Sequence, residues 1–87
     1  MATLPSLQQL RYLIALQEEG HFGRAAEKSF ITQSTLSASL RDLESTLDVT
    51  LVERDRRHVA FTAIGDAVVA RARDLVAQAS EDRKSVV

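Results

Sequence analysis

The stretch ITQSTLSASLR, residues 31–41, decides how this sequence folds. Five of its eleven side chains are Ser or Thr. Such residues are mediocre helix formers, because their hydroxyls compete for backbone hydrogen bonds. Yet the leucines run on at helical spacing. Leu36, Leu40, Leu43 and Leu47 recur at intervals of four, three and four, a single face. Thr32 is a good N-cap, and Asp48 sits where the helix should end. A helix over 32–47 with leucines behind and small polar residues in front is suited to close approach by something polar.

Working outward, HFGRAAEKSF (21–30) reads as a short helix that buries Phe22, Ala25 and Ala26. The paired alanines let another helix come close, and Ser29 to Ile31 make a tight connection. Upstream, a first helix begins near Pro5 or Ser6, where proline is tolerated and serine can cap. Leu7, Leu10, Leu13 and Ile14 form its stripe, joined by Tyr12 and Leu16, and Gly20 is its stop. Downstream, VTLVERDRRHVAFT (49–62) reads as a two-stranded hairpin. Val49, Leu51 and Val52 lie on one arm, Val59 and Phe61 on the other, with the tip near Asp55 to Arg57. A pairing of Glu44 with Arg54 would fasten hairpin to helix.

Thr62 then caps a last helix from Ala63 to about Ala79. Its stripe is Ile64, Val68, Ala72, Leu75 and Ala79, widened by Val69 and Val76. That is more apolar surface than a small trihelical core can cover, so a partner helix is expected, and Ile64, Val68, Ala72, Leu75, Val76 and Ala79 are the dimerisation candidates. The expected architecture is mostly α: a winged helix-turn-helix with a small two-stranded β wing and a long C-terminal dimerisation helix. Residues 1–62 form the winged unit, 63–80 the last helix, and 81–87 a polar tail.

Composition narrows the chemistry. At 87 residues the chain is one domain. It has no Cys, which excludes disulfides and thiolate metal sites and suits a reducing compartment. The N-terminus lacks a signal-peptide pattern and no apolar run reaches membrane-spanning length, so a cytoplasmic protein is expected. The formal net charge is −1, so nucleic-acid binding cannot rest on a general basic coat. It must rest on local arrangement, and RDRR at 54–57 is the one basic cluster. No phosphate-binding Gly loop, nucleophile–base pair or metal-ligand cluster is visible, so neither an enzyme nor a cofactor is expected.

With the leucines of helix 32–47 turned inward, the opposite face shows Ser34, Ala38, Arg41 and Ser45, with Thr35 and Ser37 at its edges. Small side chains let a helix sit deep in a major groove. Hydroxyls can donate to phosphates or base acceptors, and Gln33 can pair bidentately with adenine. Arg41 can reach a guanine edge or a phosphate, and the helix N-terminus favours an anion. Arg54, Arg56 and Arg57 on a neighbouring wing can lie against phosphates or enter a narrow minor groove. The plainer reading of Thr32 is a simple cap, and that of an Arg-rich loop is a solvated one. His21 is a helix-start residue, His58 has no evident partner, and two isolated histidines make no metal site. The candidate DNA contacts are Thr32, Gln33, Ser34, Thr35, Ser37, Ala38, Arg41, Arg54, Arg56 and Arg57. A winged helix used only for protein contact is the alternative.

Phe22, Arg24–Ala25–Ala26, Gln33, Leu36–Ser37, Leu43–Glu44, Leu47, Leu51, Arg54, Thr62–Ala63 and Gly65, in that order and without gaps, resemble the DNA-binding segment of LysR-type bacterial transcriptional regulators. His21–Phe22 before Arg24–Ala25–Ala26 is similar to the peroxide-sensing OxyR branch. Three positions depart from the family pattern: Ser34 for Pro, Asp48 for Gly and Val52 for Phe. The resemblance implies a homodimer joined by antiparallel last helices, reading a promoter or operator with an interrupted palindrome. It also implies a longer natural protein with a ligand-sensing domain, tetramers, and RNA polymerase as a further partner.

Overall fold

The computed structural model describes residues 5–54 and 59–85, with side chains up to residue 79. Helix α1 (Leu7–Glu19) opens on a complete capping box. The Ser6 hydroxyl accepts from Gln9 N–H, and the Gln9 side chain accepts from Ser6 N–H, both at 3.0 Å. It closes on Gly20, whose φ of 66° lies in the left-handed region and whose N–H donates to Leu16 C=O.

Helix α2 (Phe22–Lys28) is capped by His21, whose Nδ1 accepts from Gly23 and Arg24 N–H. Its end is closed by Ile31 N–H donating to Ala26 C=O, which throws Phe30 into the left-handed region at φ 59°. Glycine is the usual occupant of such a position. Here it is a Phe whose side chain is 95% exposed.

Helix α3 (Gln33–Leu47) starts at Thr32 and ends at Asp48, left-handed at φ 56°. An Asp therefore does tolerate the conformation for which a Gly is usual, as its short polar side chain allows. Strands β1 (Val52–Arg54) and β2 (Val59–Phe61) pair antiparallel, Val52 opposite Phe61 and Arg54 opposite Val59. Helix α4 (Ala63–Ser85) runs well past the expected end at Ala79. No Gly or Pro stands between Asp66 and Val87, and Glu81, Arg83 and Lys84 are good helix formers, so nothing local stops it and the helix takes in most of the expected 81–87 tail.

The core collects Leu13 and Leu16 of α1, Ala25 and Ala26 of α2, Leu36, Leu40 and Leu43 of α3, Leu51 and Val52, and Val69 and Ala72 of α4. Helix α1 is the hub and packs on the other three helices. Leu51 was expected inside a strand. It lies just before β1, fully buried, with its carbonyl held by the start of α4. Thr62 N–H donates to Leu51 C=O at 3.0 Å, and Thr62 Oγ1 donates to Thr50 C=O at 2.7 Å while accepting from Gly65 N–H. Gly65 is required there, because a Cβ would stand 2.0 Å from the Leu51 oxygen.

Polar contacts bind the outer edge. Glu18 takes Lys28 Nζ at 2.6 Å and Arg73 Nη1 at 3.3 Å, joining α1 to α2 and α4. The Lys28 ammonium, then Arg73, holds the Glu18 carboxyl below the usual carboxylate range, and Glu18 in turn raises Lys28. The expected Glu44–Arg54 ion pair does not form. Glu44 instead accepts backbone N–H bonds from Leu51 at 2.8 Å and Val52 at 3.4 Å. It does fasten hairpin to helix, but through the main chain, whose amides at the start of β1 would otherwise be half-buried without partners.

Candidate nucleic-acid interface

The N-terminal half of α3 presents its polar side to solvent. Thr32, Gln33, Ser34, Thr35, Ala38 and Arg41 are all exposed, and Ser37 is half-buried. Leu36, Leu40 and Leu43 are buried directly behind them. The small residues thus lie on the outer face, and the helix backbone is open to close approach along one side.

Individual side chains are not equally available. The Thr32 hydroxyl is occupied: it accepts from Thr35 N–H at 3.1 Å and donates to Thr35 Oγ1 at 2.9 Å. Its first duty is the cap. Gln33 lies over Gly23, where a Cβ would come within 3.1 Å of its Nε2 and 3.0 Å of the His21 ring. Gly23 therefore makes room for the Gln33 amide and the His21 cap together. Sequence reading missed that role, although a Gly in the first turn of a helix was a visible signal.

Arg54 reaches this face from β1. Its guanidinium carbon stands 5.2 Å from the centroid of the Phe22 ring, and Nη1 donates to Ser37 Oγ at 3.1 Å. The wing strand, α2 and α3 meet at that point. Arg56 and Arg57, expected at the wing tip, lie outside the described residues, as does His58.

The dimerisation candidates divide. Ile64 is 49% and Leu75 46% exposed, while Val68, Val76 and Ala79 are half-buried. Ala72 is buried among the core residues of its own chain, as Val69 is, and also lines the groove beside α4. Between α1, the end of α3 and α4 runs an open groove of about 300 Å³, walled by Pro5, Leu10, Leu47, Val68, Ala72 and Leu75. Its lining is almost wholly apolar. Among the described residues there is no group of three or more His, Asp or Glu able to hold a metal, and no helix long and apolar enough to cross a membrane.

Comparison with known proteins places this geometry. The family profile described as "Bacterial regulatory helix-turn-helix protein, lysR family" matches residues 7–66. The chain is 56% identical over 81 residues to the HTH-type transcriptional regulator EstR of Acinetobacter baylyi, covering 93% of this chain and 27% of that protein. It is 44% identical over 71 residues to the DNA-binding transcriptional dual regulator OxyR of Escherichia coli, covering 82% of this chain and 23% of that one. Among solved structures, the BenM DNA-binding domain in complex with benA site 1 DNA superposes with a TM-score of 0.89 at 33% identity, covering 93% of this chain and 91% of that one. The chain spans about a quarter of the length of the curated relatives it matches.

Proposed function

The chain belongs to the lysR family of bacterial regulatory helix-turn-helix proteins, as its DNA-binding domain, and on that footing we propose that it binds double-stranded DNA sequence-specifically as a homodimer. The observation that carries this reading is the exposed face of α3, small and hydroxyl-rich, with the Arg54 guanidinium docked at its edge. A helix of that profile enters a major groove, where Gln33, Ser34, Thr35, Ser37, Ala38 and Arg41 meet base edges or phosphates. Arg56 and Arg57 supply phosphate contacts from the wing. The solved complex of the BenM domain with DNA, at the same fold, supports the assignment.

Dimerisation runs through α4. Leu75 lines the apolar groove and Ile64 is a second large apolar side chain left half exposed on α4, and a second α4 is the partner that fits them. Residues 1–62 serve as the reading unit and α4 as the linker. In the full-length regulator a sensor domain would follow, with tetramers and contact to RNA polymerase as its further associations. The protein acts in the cytoplasm.

Selection of bound duplexes from a random pool, followed by an anisotropy titration, tests the proposal. The recovered site is an interrupted palindrome, and binding weakens steeply with salt as phosphates shed counterions. Arg41→Ala costs about 1–3 kcal/mol if the guanidinium reads a base, and relaxes preference at that position. Leu75→Asp gives a monomer by sedimentation. Failure of the wild-type chain to retain any duplex at low salt refutes DNA binding; a wild type that sediments as a monomer at high concentration refutes the α4 interface.

A further inference from the structure

The contact between Arg54, Ser37 and Phe22 has a direction. A guanidinium carries N–H donors and no acceptor. The 3.1 Å bond from Arg54 Nη1 therefore makes the Ser37 oxygen the acceptor. A serine hydroxyl has one proton and two lone pairs. One lone pair is engaged by the cation, which also polarises the O–H bond. Within a helix the usual sink for that proton is the carbonyl four residues earlier, and among the described residues Ser37 donates to no carbonyl. The proton is uncommitted, on a half-buried side chain at the edge of the exposed face.

Arg54 is held in place from below. Its guanidinium lies 5.2 Å from the Phe22 ring centroid, within the range of an attractive cation–π contact. Phe22 is the first residue of α2 and is half-buried. A ring set into the protein thus orients an arginine, and the arginine orients a hydroxyl.

We propose that Ser37 is a hydrogen-bond donor toward DNA, with Arg54 and Phe22 as its positioning residues. The inference rests on the DNA-binding reading above and specifies the chemistry of one contact. The group Ser37 meets is an acceptor: a phosphate oxygen, or guanine N7 or O6, adenine N7 or thymine O4 on a base edge. The amino group of adenine or cytosine, itself a donor, would take only the remaining lone pair and leave the Ser37 proton unused. Arg54 acts mainly through Ser37 rather than as an independent phosphate clamp.

The test uses the full chain, the duplex recovered from the random pool, and a random-sequence duplex of the same length. Ser37→Ala weakens binding by roughly tenfold, the scale of one hydrogen bond to a good acceptor. Equal loss on both duplexes, abolished by a methylphosphonate at one linkage, assigns the acceptor to phosphate. Loss confined to the selected duplex, reproduced in the wild type by a 7-deazapurine or an O4-lacking thymine analogue at one base, assigns it to a base edge. Arg54→Gln gives a similar loss, and the double variant loses little more than either single one. Phe22→Leu weakens binding in wild-type Ser37 and not in Ser37→Ala, whereas Phe22→Tyr restores it. Helical circular dichroism confirms that each variant is folded. Independent, multiplying losses for Arg54→Gln and Ser37→Ala overturn the positioning role. Unchanged binding by Ser37→Ala, with Arg41→Ala still impaired, overturns the donor and leaves DNA binding standing. A wild type that binds neither duplex overturns both.

Discussion

Gly65→Ala is the most informative single change to the fold. The new Cβ would stand 2.0 Å from Leu51 O, 2.9 Å from Leu51 C and 3.2 Å from Phe61 Cδ2. The first two are main-chain atoms that cannot swing aside. Reaching even a 3.0 Å contact requires the start of α4 and the Leu51 segment to separate by about 1 Å, and interiors resist such strain at about 1–3 kcal/mol. The same movement pulls on two hydrogen bonds, Thr62 N–H to Leu51 C=O and Thr62 Oγ1 to Thr50 C=O, each worth about 1 kcal/mol. Alanine returns at most about 1 kcal/mol of helix propensity. The net loss is about 2–4 kcal/mol, which for a domain this small lowers Tm by ~10–25 °C. Urea unfolding followed by helical circular dichroism measures it. Gly20→Ala is the control: φ is +66° but nothing lies within 4 Å, so only the backbone penalty of about 1 kcal/mol applies. A Gly65→Ala protein whose urea midpoint matches the wild type refutes the close-approach argument.

Three further outcomes are expected. Glu44→Ala strands the Leu51 and Val52 amides and lowers unfolding free energy by about 1–3 kcal/mol, read from the shift in denaturant midpoint. Glu18→Gln gives a small loss near neutral pH, as exposed ion pairs do, measured by urea melts across pH. Because folding lowers the Glu18 pKa, that contribution is present above the unfolded carboxylate range and disappears as pH falls through the folded value; the raised Lys28 adds loss at the alkaline end. Phe30→Gly relieves a left-handed, exposed Phe and raises stability by about 0.5–1 kcal/mol after the unfolded-state entropy of glycine is deducted, visible as a higher Tm.

Much of this was legible because it is local. Ser6, Gly20 and Thr32 announce helix ends through bonds spanning three or four residues, and the leucine stripe of α3 needs only the helical repeat to assign its buried face. The small polar face of the candidate interface follows from the same repeat. What stayed hidden depends on chain segments far apart. Glu44 and Arg54 are opposite charges at a plausible distance, yet both found other partners once the hairpin folded back: main-chain amides for one, Ser37 and Phe22 for the other. The need for Gly65 is set by a carbonyl fourteen positions earlier. Ala72 sits on the same stripe as Leu75, yet the packing of α4 against the rest of the chain buries the one and leaves the other half exposed. Phe30 gave no warning, since its left-handed backbone comes from the closure between α2 and α3 and not from its own preference.

That same Phe30 offers a practical opening. The chain contains no Trp, so an indole planted at position 30 would be the sole such fluorophore. It would replace a ring that is 95% bare to water and adjoins the beginning of α3. Its emission colour and its quenching by iodide would then register whatever approaches the turn, and an undisturbed signal would show that the approach leaves that corner wet.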